Sequence, residues 1–170
     1  ISAGYNHSIG RGPDSMIRTW GRNDYGQLGD ESTTNRNSPV LIGSCTWNAI
    51  AGGLQHSLGI RADNRLLAWG RNDYGQLGDG TTAQRTSPTL IGTSTWKVIA
   101  AGGSHSLGIR ADDALLAWGR NNSGQLGDGT TTDRKSPITI GSCTWKAIAA
   151  GGSHSLGIRA DNRLLAWGSN

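Results

Sequence analysis

Trp69-Gly70-Arg71-Asn72-Asp73-Tyr74-Gly75-Gln76-Leu77-Gly78-Asp79 recurs at Trp20 to Asp30 and, with two substitutions, at Trp118 to Asp128. It begins once more at Trp167-Gly168-Ser169-Asn170. Self-similarity at a fixed period of tens of residues means that one supersecondary unit is stacked repeatedly, so the period comes before the chemistry of any single residue. Three other landmarks share it: His7, His56, His105 and His154; Trp20, Trp69, Trp118 and Trp167; and Trp47, Trp96 and Trp145, all spaced by 49 residues. The units are 1–49, 50–98, 99–147 and a partial unit 148–170, read as a single repeat array without linkers. The last two agree at 20 of their 23 shared positions, which points to recent duplication or deliberate construction.

Within a unit, Gly or Pro interrupts every stretch much longer than about ten residues, and each interruption costs a helix about 1 to 3 kcal/mol. Short strands remain. One unit reads as Trp96 to Ala101, His105 to Arg110, Ala114 to Trp118 and Ser136 to Ile140, with Ala111-Asp112-Asp113 as a tight hairpin link. Pro137 at the head of the fourth segment marks it as the outer edge, because proline donates nothing to a ladder. Four antiparallel strands per unit of this size, each with a Trp and Gly signature, form the pattern of a β-propeller blade. The chain is expected to be all-β, with small residues such as Ala100, Gly102, Gly103 and Gly108 at the crowded inner end and tryptophans in the seams between blades.

Composition supports this architecture. Gly numbers 27 of 170 residues without a Gly-X-Y period, and seven Trp with no Phe imply a core anchored on indoles. The net charge of +4 is spread, with Arg and Lys interleaved with Asp, which argues against a nucleic-acid arm or a membrane patch. No apolar run approaches the roughly 20 residues of a membrane helix. The chain opens on Ile1 rather than Met, as a processed or excised chain would, and the compartment is not legible. Cys45 and Cys143 hold one repeat position two units apart; on a ring they lie beyond the roughly 7 Å that a disulfide tolerates and are expected as free thiols or links between chains.

With Ala-Gly-Gly, His-Ser, Trp-Gly-x-Asn, Gly-Gln-Leu-Gly and Ser-Pro in that order, the chain resembles the regulator of chromosome condensation (RCC1) repeat family over its whole length. The resemblance implies a seven-bladed propeller, of which about three and a half repeats make half, an incomplete ring to be finished by something else. The first unit departs from the pattern: Arg11 to Thr19 replaces the sequence seen at Ile60 to Ala68, and Glu31 replaces the Gly of Asp-Gly-Thr. Family members include an exchange factor for a small GTPase that docks on chromatin, and a secreted bacterial inhibitor of β-lactamase. No residue of these units maps onto a specific exchange residue.

Candidate chemistry reduces to a few sites. The four His lack the neighbouring Cys, Asp or Glu of a zinc motif, and one His per blade is read as a structural hydrogen bond between strands or blades. In His105-Ser106 and its equivalents, adjacent strand residues point to opposite faces, and no Gly-x-Ser-x-Gly elbow accompanies them. The Gly-rich segments lack the Lys-Ser/Thr of a phosphate loop and read as turns in which Asp30, Asp79 and Asp128 accept backbone hydrogen bonds. Asn6-His7-Ser8 and Asn121-Asn122-Ser123 match a glycosylation acceptor only because they lie inside the repeat signature. Arg22, Arg71 and Arg120 recur beside Tyr25, Tyr74 and Ser123, either as a protein-recognition face or with Tyr filling space above Trp and Arg paired to Asp24 or Asp73. These expectations describe a non-enzymatic interaction scaffold with no metal, cofactor or catalytic set. Its partner would be another protein, further repeats or a second copy of the chain; a GTPase regulator, and an extracellular structural subunit or secreted inhibitor, are the alternatives.

Overall fold

Each unit folds as an antiparallel meander because its strand-forming runs are short and its turns carry residues able to take positive φ. The computed structural model describes residues 1–169. Its thirteen strands are β1 (Ser2–Ala3), β2 (His7–Arg11), β3 (Ile17–Gly21), β4 (Arg36–Leu41), β5 (Trp47–Gly52), β6 (His56–Arg61), β7 (Arg65–Gly70), β8 (Arg85–Ala101), β9 (His105–Arg110), β10 (Ala114–Gly119), β11 (Arg134–Ala150), β12 (His154–Arg159) and β13 (Leu164–Gly168). No helix occurs among the described residues. Strands pair in sequence order, as β1-β2-β3-β4 and as a run from β5 to β13. The result is three four-stranded blades and three strands of a fourth, arranged as an open part of a propeller.

The hairpin read at Ala111-Asp112-Asp113 is present: Asp113 N–H donates to Arg110 O at 2.9 Å, and Asp113 takes φ 66°. Asn64 and Asn162 take the same conformation in their units, and Asp and Asn tolerate it better than most side chains. The fourth strand lies outermost in its blade, but it does not end there. β8 and β11 each run 17 residues, pairing as the outer strand of one blade and then as the inner strand of the next. Between the pairs Leu67↔Leu90 and Arg65↔Thr95 the register jumps, at a corner where Gly92 has φ 59°. Sequence patterning missed this continuity because a corner glycine looks like a strand end.

The core lies in the seams. Leu58, Ile60, Leu66, Ala68 and Leu77 of blade 2 pack against Trp96, Leu116 and Trp118 of blade 3 in one cluster, and equivalent clusters fill the other two seams. Two indoles from each incoming blade meet edge to face, Trp47 on Trp69 at 5.7 Å, Trp96 on Trp118 at 5.6 Å and Trp145 on Trp167 at 5.8 Å between centroids. Such pairs add about 0.5 to 1.5 kcal/mol to the burial of the rings themselves. Near the axis, backbone closes on backbone: Tyr5 N–H donates to Gly53 O and Leu54 N–H to Gly102 O, at 3.1 and 3.2 Å. A Cβ on Gly102 would stand 2.7 Å from Gly151 O and press into the His105 ring, so glycine is required where adjacent blades converge.

Candidate functional site

The recurring His and Ser meet, but across blades. His7 Nε2 lies 2.9 Å from Ser57 Oγ, His56 Nε2 3.0 Å from Ser106 Oγ, and His105 Nε2 2.9 Å from Ser155 Oγ. Each serine has one hydroxyl proton, and it is directed at a carbonyl of the preceding blade's loop: Ser57 to Gln27 O at 2.8 Å, Ser106 to Gln76 O and Ser155 to Gln125 O at 2.7 Å. The imidazole must therefore donate through Nε2–H to the serine oxygen. The same carbonyls accept the indole N–H groups of Trp69, Trp118 and Trp167, each at 2.9 Å. One seam thus joins His of one blade, Ser and Trp of the next, and a Gln carbonyl between them.

A nucleophilic serine needs its proton drawn toward the imidazole. Here the proton points the other way, and the serines and imidazoles in the seams are almost wholly buried. Burial also lowers the imidazole pKa, to about 4 at His7, about 3 at His56 and about 4 at His105; His105 and His7 add to the effect at His56, and His154 at His105. These rings stay neutral near pH 7. Their second nitrogens, Nδ1, have no partner and lie against glycine backbone, which a neutral unprotonated nitrogen tolerates better than a charged one. Among the described residues no group of three His, Cys, Asp or Glu side chains gathers to hold a metal. Cys45 and Cys143 are free thiols.

The signature loop is built around a buried asparagine. Asn72 Oδ1 accepts from Leu77 N–H at 3.0 Å, while Nδ2 donates to Asp79 Oδ1, Thr81 O and Ala83 O at 3.0 to 3.2 Å. Asn23 and Asn121 repeat the pattern. Asp79 Oδ1 accepts from Thr81 N–H at 3.0 Å, the turn contact read from the sequence, and Oδ2 pairs with Arg85 at 2.7 Å. At Asp128 burial pushes the carboxyl pKa up, but Thr130, Arg134 and Asn121 outweigh it and hold the group at about 2. Asn121 is wholly buried and its amide hydrogen bonds are taken, so it is closed to glycosylation.

Arg22 and Arg71 pair with Asp24 and Asp73, at 2.5 and 2.6 Å. Tyr25 and Tyr74 do more than fill space within their own unit: each ring lies under an arginine of the next blade, Arg71 over Tyr25 and Arg120 over Tyr74, both at 4.8 Å from the ring centroid. The third turn carries Ser123 and the fourth Ser169, so this stacking occurs at two of the three seams. A cleft of about 440 Å³ on the rim between blades 2 and 3 is lined by Trp96, Leu90, Leu116, Asp79 and Arg110. Its charges are already matched, Asp79 by Arg85 and Arg110 by Asp112.

The model of the regulator of chromosome condensation (RCC1) repeat matches residues 18–60, 63–109 and 112–158, and a second model of the same repeat matches 1–27, 47–76 and 96–125. The chain belongs to the RCC1 repeat family. Yeast RCC1 (Prp20), solved bound to Kap60, superposes with a TM-score of 0.86 at 25% identity over 97% of this chain and 42% of that one. Human WBSCR16 gives 0.85 at 23% identity over 97% and 45%, and the ectodomain of the Physcomitrella patens receptor kinase CR4 gives 0.62 at 23% over 98% and 39%. The chain therefore spans less than half the length of these structures. The RCC1 repeat motifs locate as follows: His-Ser and Trp bind the seams, Asn and Gly-Gln-Leu-Gly-Asp shape the loop, and the Arg and Tyr positions lie beside the seams, half-buried except for the exposed Arg22. Sequence reading anticipated a hydrogen bond at His but not its partner, because the serine it meets is 50 residues away. The shared period of His and Ser was the one available signal, since each His meets the Ser of the following unit.

Proposed function

We propose that this chain is a non-enzymatic propeller scaffold that binds other proteins through its surface. The seam geometry carries the reading, because the one recurring pair with catalytic residue types is committed to holding blades together, with each serine proton given to a Gln carbonyl. The paired charges of the rim cleft support it as well. Purified chain assayed against ester, peptide and phosphate substrates is expected to be inactive. A hydrolytic activity lost in a His7→Gln variant that still unfolds cooperatively would overturn the proposal.

The finer reading is that the open blade faces are covered, by further repeats of the same protein or by a second copy of the chain, and exposure motivates it. His154, Ile158 and Leu164 on the outward face of blade 4 are exposed, the last at 68%, whereas His105, Ile109 and Leu115 at the same positions of blade 3 are buried. Blade 1 presents the other half of a seam, with Ser8 and Trp20 only partly covered. The likeness to yeast RCC1 favours the exchange-factor alternative; accelerated nucleotide release from a small GTPase would support it, and unchanged release would remove it.

A further inference from the structure

The copies disagree on the face that carries the Arg-Tyr turns, and the disagreement leaves one seam with unmatched positive charge. At the seam between blades 1 and 2, Arg71 lies over Tyr25, but its guanidinium is also bound by Asp73 and by Gln55 Oε1, each at 2.6 Å. The residue packed against the neighbouring Gly26 is the neutral Thr86. At the seam between blades 2 and 3, Arg120 lies over Tyr74 in the same way, but Asn122 stands where Asp24 and Asp73 stand in the other turns. The residue packed against Gly75 is now Lys135. Among the described residues no carboxylate lies within ion-pair reach of Arg120 or Lys135, and no side-chain hydrogen bond occupies the Arg120 guanidinium.

We infer that this seam docks a carboxylate-bearing segment of a partner protein, with Arg120 and Lys135 as the anion contacts and Tyr74 as the platform beneath. Stacking on Tyr74 uses one face of the guanidinium and leaves its in-plane N–H groups free to fork onto a carboxylate. Tyr74 and Arg120 are half-buried and Lys135 exposed, so the arginine is held in place while remaining accessible. Of the nearby carboxylates, Asp73 is ion-paired with Arg71, and Asp133, whose Oδ1 accepts the Asn121 N–H at 2.7 Å, pairs with neither cation. An acidic peptide fits better than a nucleic acid. Asp24 and Asp73 recur along this face, so a continuous polyphosphate would meet carboxylates next to the station, whereas a short acidic segment engages it alone.

The inference rests on the scaffold reading and names the chemistry of the partner. It is tested by fluorescence anisotropy with a fluorescein-labelled oligoglutamate peptide, and with labelled oligothymidylate as the competing polyanion. Asn122→Asp supplies the carboxylate that the other two turns carry, and Lys135→Thr supplies the residue of the preceding seam, so both are native to this fold. Each is expected to weaken oligoglutamate binding about tenfold, as loss of one charge-assisted contact does. The converse variant, Asp73→Asn with Gln55→Ser and Thr86→Lys, removes both side-chain partners of Arg71 and is expected to create a second station, raising the number of peptides bound from one to two. Absence of oligoglutamate binding, binding indifferent to Asn122→Asp and Lys135→Thr, or tighter binding of oligothymidylate would each overturn the inference. None of these outcomes touches the scaffold reading, which falls only to a catalytic activity.

Discussion

At the residue scale, Asn72 and Glu31 show how much a single position of the repeat carries. Asn72 is wholly buried; its Oδ1 accepts one hydrogen bond and its two amide protons are shared among Asp79 Oδ1, Thr81 O and Ala83 O. Asn72→Asp keeps the shape but turns acceptor oxygens toward Asp79 Oδ1 and two carbonyls. It is expected to cost more than about 3 kcal/mol, measured by urea denaturation, and more than Asn72→Ala. Glu31 is the opposite case. It holds φ 64° where Gly80 and Gly129 hold 81° and 76°, and a side chain in that region costs about 1 to 2 kcal/mol. Glu31→Gly is expected to raise stability by about 1 kcal/mol in the same assay. The Asn was legible in the sequence only as part of a signature, since the four groups it binds are spread over eleven following residues. The Glu was legible directly, as the residue that replaces the Gly of Asp-Gly-Thr.

At the scale of the element, each seam is a unit of stability with a pH dependence of its own. The seam imidazoles have folded pKa values of about 3 to 4 against 6.5 in an open chain, so below about pH 6.5 the unfolded state takes up protons that the folded state refuses. Stability is therefore full above that value and falls as the pH drops toward the folded pKa. The aspartates with lowered pKa, such as Asp63 and Asp112 at about 2, lose their contribution only below the usual carboxylate range. Between about pH 4 and 6.5 the histidines dominate, at an upper bound of about 2 kcal/mol for each at pH 5. Thermal unfolding is expected at a clearly lower temperature at pH 5 than at pH 7.5, and His56→Gln should flatten that difference. An unfolding midpoint flat across this range would contradict the seam assignment. Strand identity was readable from the spacing of Gly and Pro, whereas the continuity of β8 and β11 was not, because the corner glycines look like strand ends.

At the scale of the whole molecule, the two outer faces are unequal. The outward face of blade 4 repeats the apolar residues of the internal seams, while blade 1 carries Arg18 at the position of Leu67, Leu116 and Leu165, paired with Asp14 at 2.9 Å. A charge opposed to the blade 4 face would be desolvated without a partner there, which weakens a head-to-tail contact between copies. Sedimentation velocity is expected to show concentration-dependent association of the native chain and a marked strengthening in Arg18→Leu. Identical monomer behaviour in both would remove the self-association reading. Heterologous contacts of this kind close into rings or extend as filaments according to their rotation.

The sequence by itself determined the period, the all-β blade, the two middle strands of each blade with their hairpin link, and the family, because a repeat writes its turn glycines, strand runs and indoles at fixed intervals. Only the tertiary structure decided what the repeated side chains do. Whether His donates or accepts depends on a serine one blade away and a carbonyl in the loop beside it, and whether an arginine is satisfied depends on which side chains stand on the neighbouring blade. Such contacts are set by blade-to-blade stacking, at separations near 50 residues, where local patterning carries no information about geometry. Arg120 illustrates the division: its place in the repeat is visible in the sequence, but its stacking on Tyr74 and its lack of a carboxylate emerge only when blades 2 and 3 are packed together.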